Sequence, residues 1–191
     1  MNAIQHCVIR AHMKSNALLS GVVVIMIVII SGCNLLDNLT KFNIDYSNQF
    51  TIPQGVPANI PYDLYTPRFP TNSAQYFNDN KTNPDLIEGC ILKSAVASII
   101  PPSNDDLSFI QSIHIFIIAD ALPQRELAYK ENITGVTDTL KLDIVENELI
   151  DYIKKDSIGL LIQLYTNRVN TDDITTKMQM QFQVDAKILG I

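Results

Sequence analysis

Ile174-Thr-Thr-Lys-Met-Gln-Met-Gln-Phe-Gln-Val-Asp-Ala-Lys-Ile188 alternates without a break: the apolar residues and Thr176 fill the even positions, and Thr175, lysine, glutamine and aspartate fill the odd ones. At a helical period of 3.6 these apolar side chains would scatter around the axis, whereas at period two they share one face. The stretch therefore predicts a long strand, buried on one side and wet on the other. Its polar side, from Lys177 to Lys187, is a candidate contact surface.

Upstream, the same logic marks more strands. Phe42, Ile44, Tyr46, Phe50 and Ile52 alternate from Lys41 onward. Ile87 to Ile100 is aliphatic and stops at Pro101-Pro102. Ile113-His-Ile-Phe-Ile-Ile118 is apolar on both faces, as in the middle of a packed sheet. Shorter strands are expected around Glu126 to Tyr129 and Thr137 to Val145, with another apolar one from Ile158 to Tyr165. Residues 53–70 hold five of the nine prolines, so they suit an exposed connection or an edge. Residues 72–84 are polar and predict a loop with a short strand around Tyr76. One helix is expected near 146–155, where acids come early and Lys154-Lys155 late, matching the helix dipole. About seven strands and this one short helix predict an all-β protein. The expected architecture is an antiparallel β-sandwich with an immunoglobulin-like arrangement, although the Cys-Trp-Cys core of antibody domains is absent.

The other informative stretch is Ala17 to Ile30, an apolar run of 14 residues preceded by Arg10, His12 and Lys14 and followed by Ser31-Gly32-Cys33. A helix needs roughly 20 apolar residues to cross a hydrocarbon core, so the run fits a signal peptide better than a span. Translation from Met13 would make that signal compact. Ile30-Ser31-Gly32-Cys33 resembles the lipobox of bacterial lipoproteins. The resemblance implies cleavage between Gly32 and Cys33, acylation of Cys33, and anchoring in a bacterial membrane by two or three fatty chains. Asn34 after the cysteine is compatible with transport to an outer membrane. Leu149-Ile-Asp-Tyr-Ile-Lys-Lys155 before a strand, and the terminal Phe182-Gln-Val-Asp-Ala-Lys-Ile-Leu189, are similar to small envelope lipoproteins of this size. The expected organisation is a signal peptide at 1–32, a lipidated tether at 33–40 and one sandwich domain at 41–191.

The 191 residues carry 14 Lys+Arg against 20 Asp+Glu, a net charge of −6. Loss of residues 1–32 removes Arg10 and Lys14 and no acid, leaving −8. An acidic chain does not suit nucleic acid, which is held by clustered cations. It is also repelled by anionic headgroups, so the acyl chains must do the anchoring. From Asn34 to Thr40 an extended tether reaches about 25 Å, which keeps the domain close to its membrane.

Little in the chain points to catalysis. Cys7 leaves with the signal and Cys33 is acylated, so Cys90 is left as a free thiol in an apolar strand, the setting of a small buried hydrophobe. His114 is the one histidine after residue 32 and is expected to satisfy a single hydrogen bond within its strand. Asp105-Asp106 and Asp172-Asp173 lack calcium-ligand spacing and read as turn acids. There is no nucleophile elbow, HExxH or glycine-rich phosphate loop. Tyr62, Tyr65, Phe69 and Tyr76 lie in or beside the proline-rich segment and are the candidate recognition patch. Asp138-Thr139-Leu140 and Asp156-Ser157-Ile158 resemble a short O-glycosylation motif. The expectation is a non-enzymatic protein with no metal and no cofactor. It is expected to contact membrane lipid through Cys33, and an envelope protein or a glycan through its surface.

Overall fold

A computed structural model describes residues 40–102, 106–135 and 138–187. The signal segment, Met13, the lipobox through Cys33 and the tether up to residue 39 lie outside the described residues, as do Asp105 and Ile188. The chain divides between residues 40 and 41, and the sandwich belongs to the part Lys41–Ile191.

Two antiparallel sheets make up the domain. The first has the order β1 (Lys41–Ile52), β10 (Ile174–Ala186), β4 (Ile87–Ile99), β7 (Thr139–Lys141). The second runs β2 (Pro61–Tyr65), β9 (Ser157–Thr166), β5 (Ile110–Ile118), β6 (Arg125–Lys130), β8 (Asp143–Ile144), with β3 (Phe69–Pro70) also on β9. The all-β antiparallel sandwich is thus present. Its strand order, however, is not immunoglobulin-like. The first and last strands lie side by side, and the chain passes back and forth between the sheets, which is the double Greek key of a jelly roll. Strand pairing over 122 to 144 positions, such as Ile52 with Ile174 and Lys41 with Asp185, leaves no trace in local periodicity.

The decisive alternation sits as its pattern requires. Ile174, Met178, Met180, Phe182 and Val184 are buried, and Gln179, Gln181 and Gln183 face outward. Burial of each large side chain stabilises by roughly 1.5–3 kcal/mol. Phe182 packs edge-on against Tyr46 at 5.5 Å between centroids. The Tyr46 hydroxyl donates to the Thr71 carbonyl at 2.7 Å, so the one polar atom of this buried ring is satisfied. Burial pushes its pKa above the usual phenol range.

The strand expected over 137–145 is broken into β7 and β8, one in each sheet, and both helical segments differ from expectation. Residues 73–79 form a helix, α1 (Ser73–Asp79), where a loop with a strand at Tyr76 was expected. At seven residues it has no readable period, and what holds it is tertiary: Phe77 is buried and meets Phe42 edge-on at 6.4 Å. The helix expected near 146–155 shrinks to α2 (Ile150–Ile153). Its first residues are instead tied by hydrogen bonds to strands of both sheets. Val145 N–H donates to the Leu127 carbonyl and the Asn147 side chain donates to the Glu126 carbonyl. Glu148 Oε1 then accepts from the amides of Cys90, Leu149 and Ile150.

Candidate functional site

The four aromatic residues of the proline-rich region do not form one patch. Phe69 and Tyr76 both pack on the ring of Tyr46, at 5.8 and 6.4 Å. Tyr62 is half-buried and turned toward the core with Leu64, as alternation on β2 dictates. Tyr65, 63% exposed, stands on the other side of β2. Three of the four therefore serve mainly to fasten the segment to the sandwich.

The polar side of β10 becomes the middle of a wet sheet face. Gln181 lies opposite Asp45 on β1 and Ser94 on β4, and Gln179 lies opposite Ser47 and Val96. Gln181 Nε2 donates to Asp45 Oδ1 at 2.9 Å. Between these rows is an open depression of about 510 Å³ whose polar lining is one carboxylate, two amides and two hydroxyls. An extra residue, Lys93, bulges from β4 where Ser94 and Leu92 pair with consecutive β10 residues, adding local twist beside the depression. Apart from the Asp45 carboxylate these groups are neutral donors and acceptors, so the face is suited to other polar surfaces.

The outer face of the second sheet holds a cluster that sequence reasoning undercounted. His114 on β5 makes two hydrogen bonds, not one: Nδ1 to Glu126 Oε1 at 2.6 Å and Nε2 to Glu131 Oε1 at 2.8 Å. Its ring is stacked with Tyr129 and Phe116. Burial lowers its pKa, and the hydrogen bonds and charges of the two glutamates outweigh that, so the net shift is upward from 6.5. A carboxylate on each ring nitrogen favours the protonated imidazole, in which both nitrogens donate. Register across the β5–β6 hairpin sets this contact, pairing His114 with Tyr129 and, past an irregularity, Phe116 with Glu126. A register is invisible in residue spacing alone.

The remaining candidates have local roles. Cys90 is buried, and burial followed by the nearby Glu148 carboxylate pushes its thiol up to about 12. Asp106 caps a short turn by accepting from Ser108 N–H, and Asp173 Oδ1 accepts from Gln54 N–H at 2.7 Å. Among the described residues no three His, Cys, Asp or Glu side chains are grouped to hold a metal. Thr139 is exposed on the short edge strand β7, and Ser157 is half-buried opposite Pro70. Asn170 passed unnoticed in the sequence. It is 1% exposed, accepts from Val56 N–H, and donates to the carbonyls of Pro53 and Asp172, clamping the 53–60 and 167–173 loops together.

No family model and no curated protein matches the chain. Among solved structures it is similar to the BFDV capsid protein in its decameric form, at 14% identity over 75% of this chain and 98% of that one, with a TM-score of 0.31. It is also similar to desmodium yellow mottle tymovirus, at 13% identity over 79% of this chain and 91% of that one, TM-score 0.29. A third likeness is to CpGH89CBM32-5 from Clostridium perfringens, in complex with GalNAc-β-1,3-galactose. There the identity is 6% over 73% of this chain and 95% of that one, TM-score 0.28. With likenesses this distant, function has to be argued from the chain's own residues.

Proposed function

We propose that this chain is a lipid-anchored, non-enzymatic module of the bacterial cell envelope, held in a membrane, the outer one in a Gram-negative cell, by acylated Cys33. Its sandwich serves as a contact surface for an envelope protein. Support for the anchor comes from Ile30-Ser31-Gly32-Cys33 at the end of the apolar run. The observation that carries the contact role is the wet face of β1, β10 and β4, a broad sheet of glutamine, serine, asparagine and aspartate around a shallow depression. Cross-linking in intact cells, followed by mass spectrometry of what is joined to the chain, tests it. A reproducible partner joined through Lys177, Lys93 or Lys141, and lost on changing Gln179 and Gln181 to glutamate, is expected. Cross-links only to unrelated abundant proteins, unchanged by those substitutions, would contradict it.

A second use of the same face is favoured by the chemistry of the depression. One carboxylate, two amides and two hydroxyls match the hydroxyl groups of a glycan. A thermal shift with envelope glycans tests that reading, since a ligand at 100 times its dissociation constant stabilises by about 2.7 kcal/mol.

A further inference from the structure

A sandwich has sheet edges, and a free edge carries N–H and C=O groups that recruit another strand unless it is short, interrupted, charged or covered. Three of the four edges here are blunted. β7 has three residues and β8 two, while β2 and β3 are split by Pro67 and flanked by Pro61 and Pro70. The fourth, β1, runs 12 residues with no proline, and its register with β10 is unbroken. Among the described residues no strand pairs with its other side.

Ladder geometry says which groups are free. Ile100 N–H donates to the Thr175 carbonyl, so Thr175 bonds toward β4 and Thr176 bonds toward β1, opposite Phe50. The even residues of β1 thus carry the ladder, and the odd ones from Asn43 to Thr51 turn their amides and carbonyls outward. One of these is plugged locally: Gln49 N–H donates to the Asn48 side-chain oxygen at 2.8 Å. That arrangement leaves the Asn48 amide nitrogen buried without a partner, and an incoming carbonyl on Gln49 would release the Asn48 oxygen and free its side chain to turn.

We propose that the β1 edge is a self-association site, at which a second copy of this chain adds its own β1 antiparallel about a two-fold axis at Ser47. This joins two four-stranded sheets into one of eight. Self-complementarity of the edge favours a second copy as the occupant. With the axis at Ser47, Asp45 faces Gln49 of the second copy and Asn43 faces Thr51, and each facing odd pair exchanges two ladder hydrogen bonds. No like charges meet. An axis at Asp45 would set two carboxylates face to face, and one at Asn43 would leave half the edge unused. The polar faces of the two copies would then run on as one surface. The site is independent of how the chain is anchored.

The test is disulfide trapping with the full chain in its native cells. Facing residues of a hydrogen-bonded pair lie about 5.5 Å apart, within disulfide reach. Ser47→Cys is expected to give a cross-linked dimer under mild oxidation, at least about ten-fold more than Asn43→Cys or Thr51→Cys alone. Each of these stands roughly 27 Å from its own copy at about 3.4 Å per residue. Co-expressed Asn43→Cys and Thr51→Cys chains are expected to cross-link to each other. Ser47→Pro removes an N–H that the sandwich does not use, so its thermal midpoint should hold while the Asn43–Thr51 cross-link disappears. Equal trapping at 43, 47 and 51, no trapping at 47, or a cross-link that survives Ser47→Pro would each overturn the proposal.

Discussion

Glu126 and Glu131 determine what His114 is. A neutral imidazole has one N–H, so it satisfies one carboxylate and turns a lone pair toward the other, whereas the protonated ring donates to both. Its folded pKa lies above 6.5, so the stabilising contribution is fully present below about pH 6.5 and is lost as pH rises through the folded value. Urea midpoints at pH 6 and pH 8 should therefore differ more in the wild type than in Glu126→Gln/Glu131→Gln. The excess should be of the order of 0.5–1 kcal/mol, because this partly exposed cluster is screened by water. A wild-type slope no steeper than the variant's would remove the cluster from the account. Asn170 matters in a different way. Its side chain satisfies one amide and two carbonyls in a buried site, so Asn170→Ala leaves them unpartnered and should cost about 2–4 kcal/mol by denaturant titration. A loss under about 0.5 kcal/mol would mean that the loops hold together without it. Neither role was legible in the sequence. A histidine in an apolar strand and an asparagine in a polar turn look ordinary until the register and the loop contacts bring their partners close.

At the scale of the element, β10 was the most legible part of the chain, because period-two alternation is a direct consequence of one face being buried. The structure makes its two faces energetically unequal, and that is testable within one strand. Phe182 is 1% exposed against Tyr46, so Phe182→Ala should cost about 3–5 kcal/mol, whereas Gln183→Ala, one position on and facing out, should stay within about 0.5 kcal/mol. Similar losses at both positions would refute the assignment of faces. The helices were the least legible elements. α1 is too short to show a period and depends on Phe77 docking against Phe42, while the amphipathic pattern of 146–155 is overridden by hydrogen bonds that tie residues 145–149 to strands of both sheets. In both cases tertiary contact outweighs local propensity.

For the molecule as a whole, the alternations sufficed to predict two packed antiparallel sheets, and they said nothing of strand order. Immunoglobulin-like and jelly-roll sandwiches need the same buried faces and differ in which distant strands become neighbours. Here the deciding neighbours are β1 and β10, at opposite ends of the domain sequence. Cys90 sits on β4 inside this assembly and gives a reporter of its global opening. With the thiol buried and its pKa pushed up to about 12, alkylation at pH 8 should be at least about a thousand-fold slower in the native protein than in urea. Fast native labelling would mean that β4 opens locally. The proposed link between this sandwich and a membrane is tested most directly by the intact mass of the chain isolated from its native cells. The predicted result is a chain beginning at Cys33 and carrying two or three acyl groups on that residue. A chain that retains residues 1–32, or begins elsewhere without lipid, would contradict it.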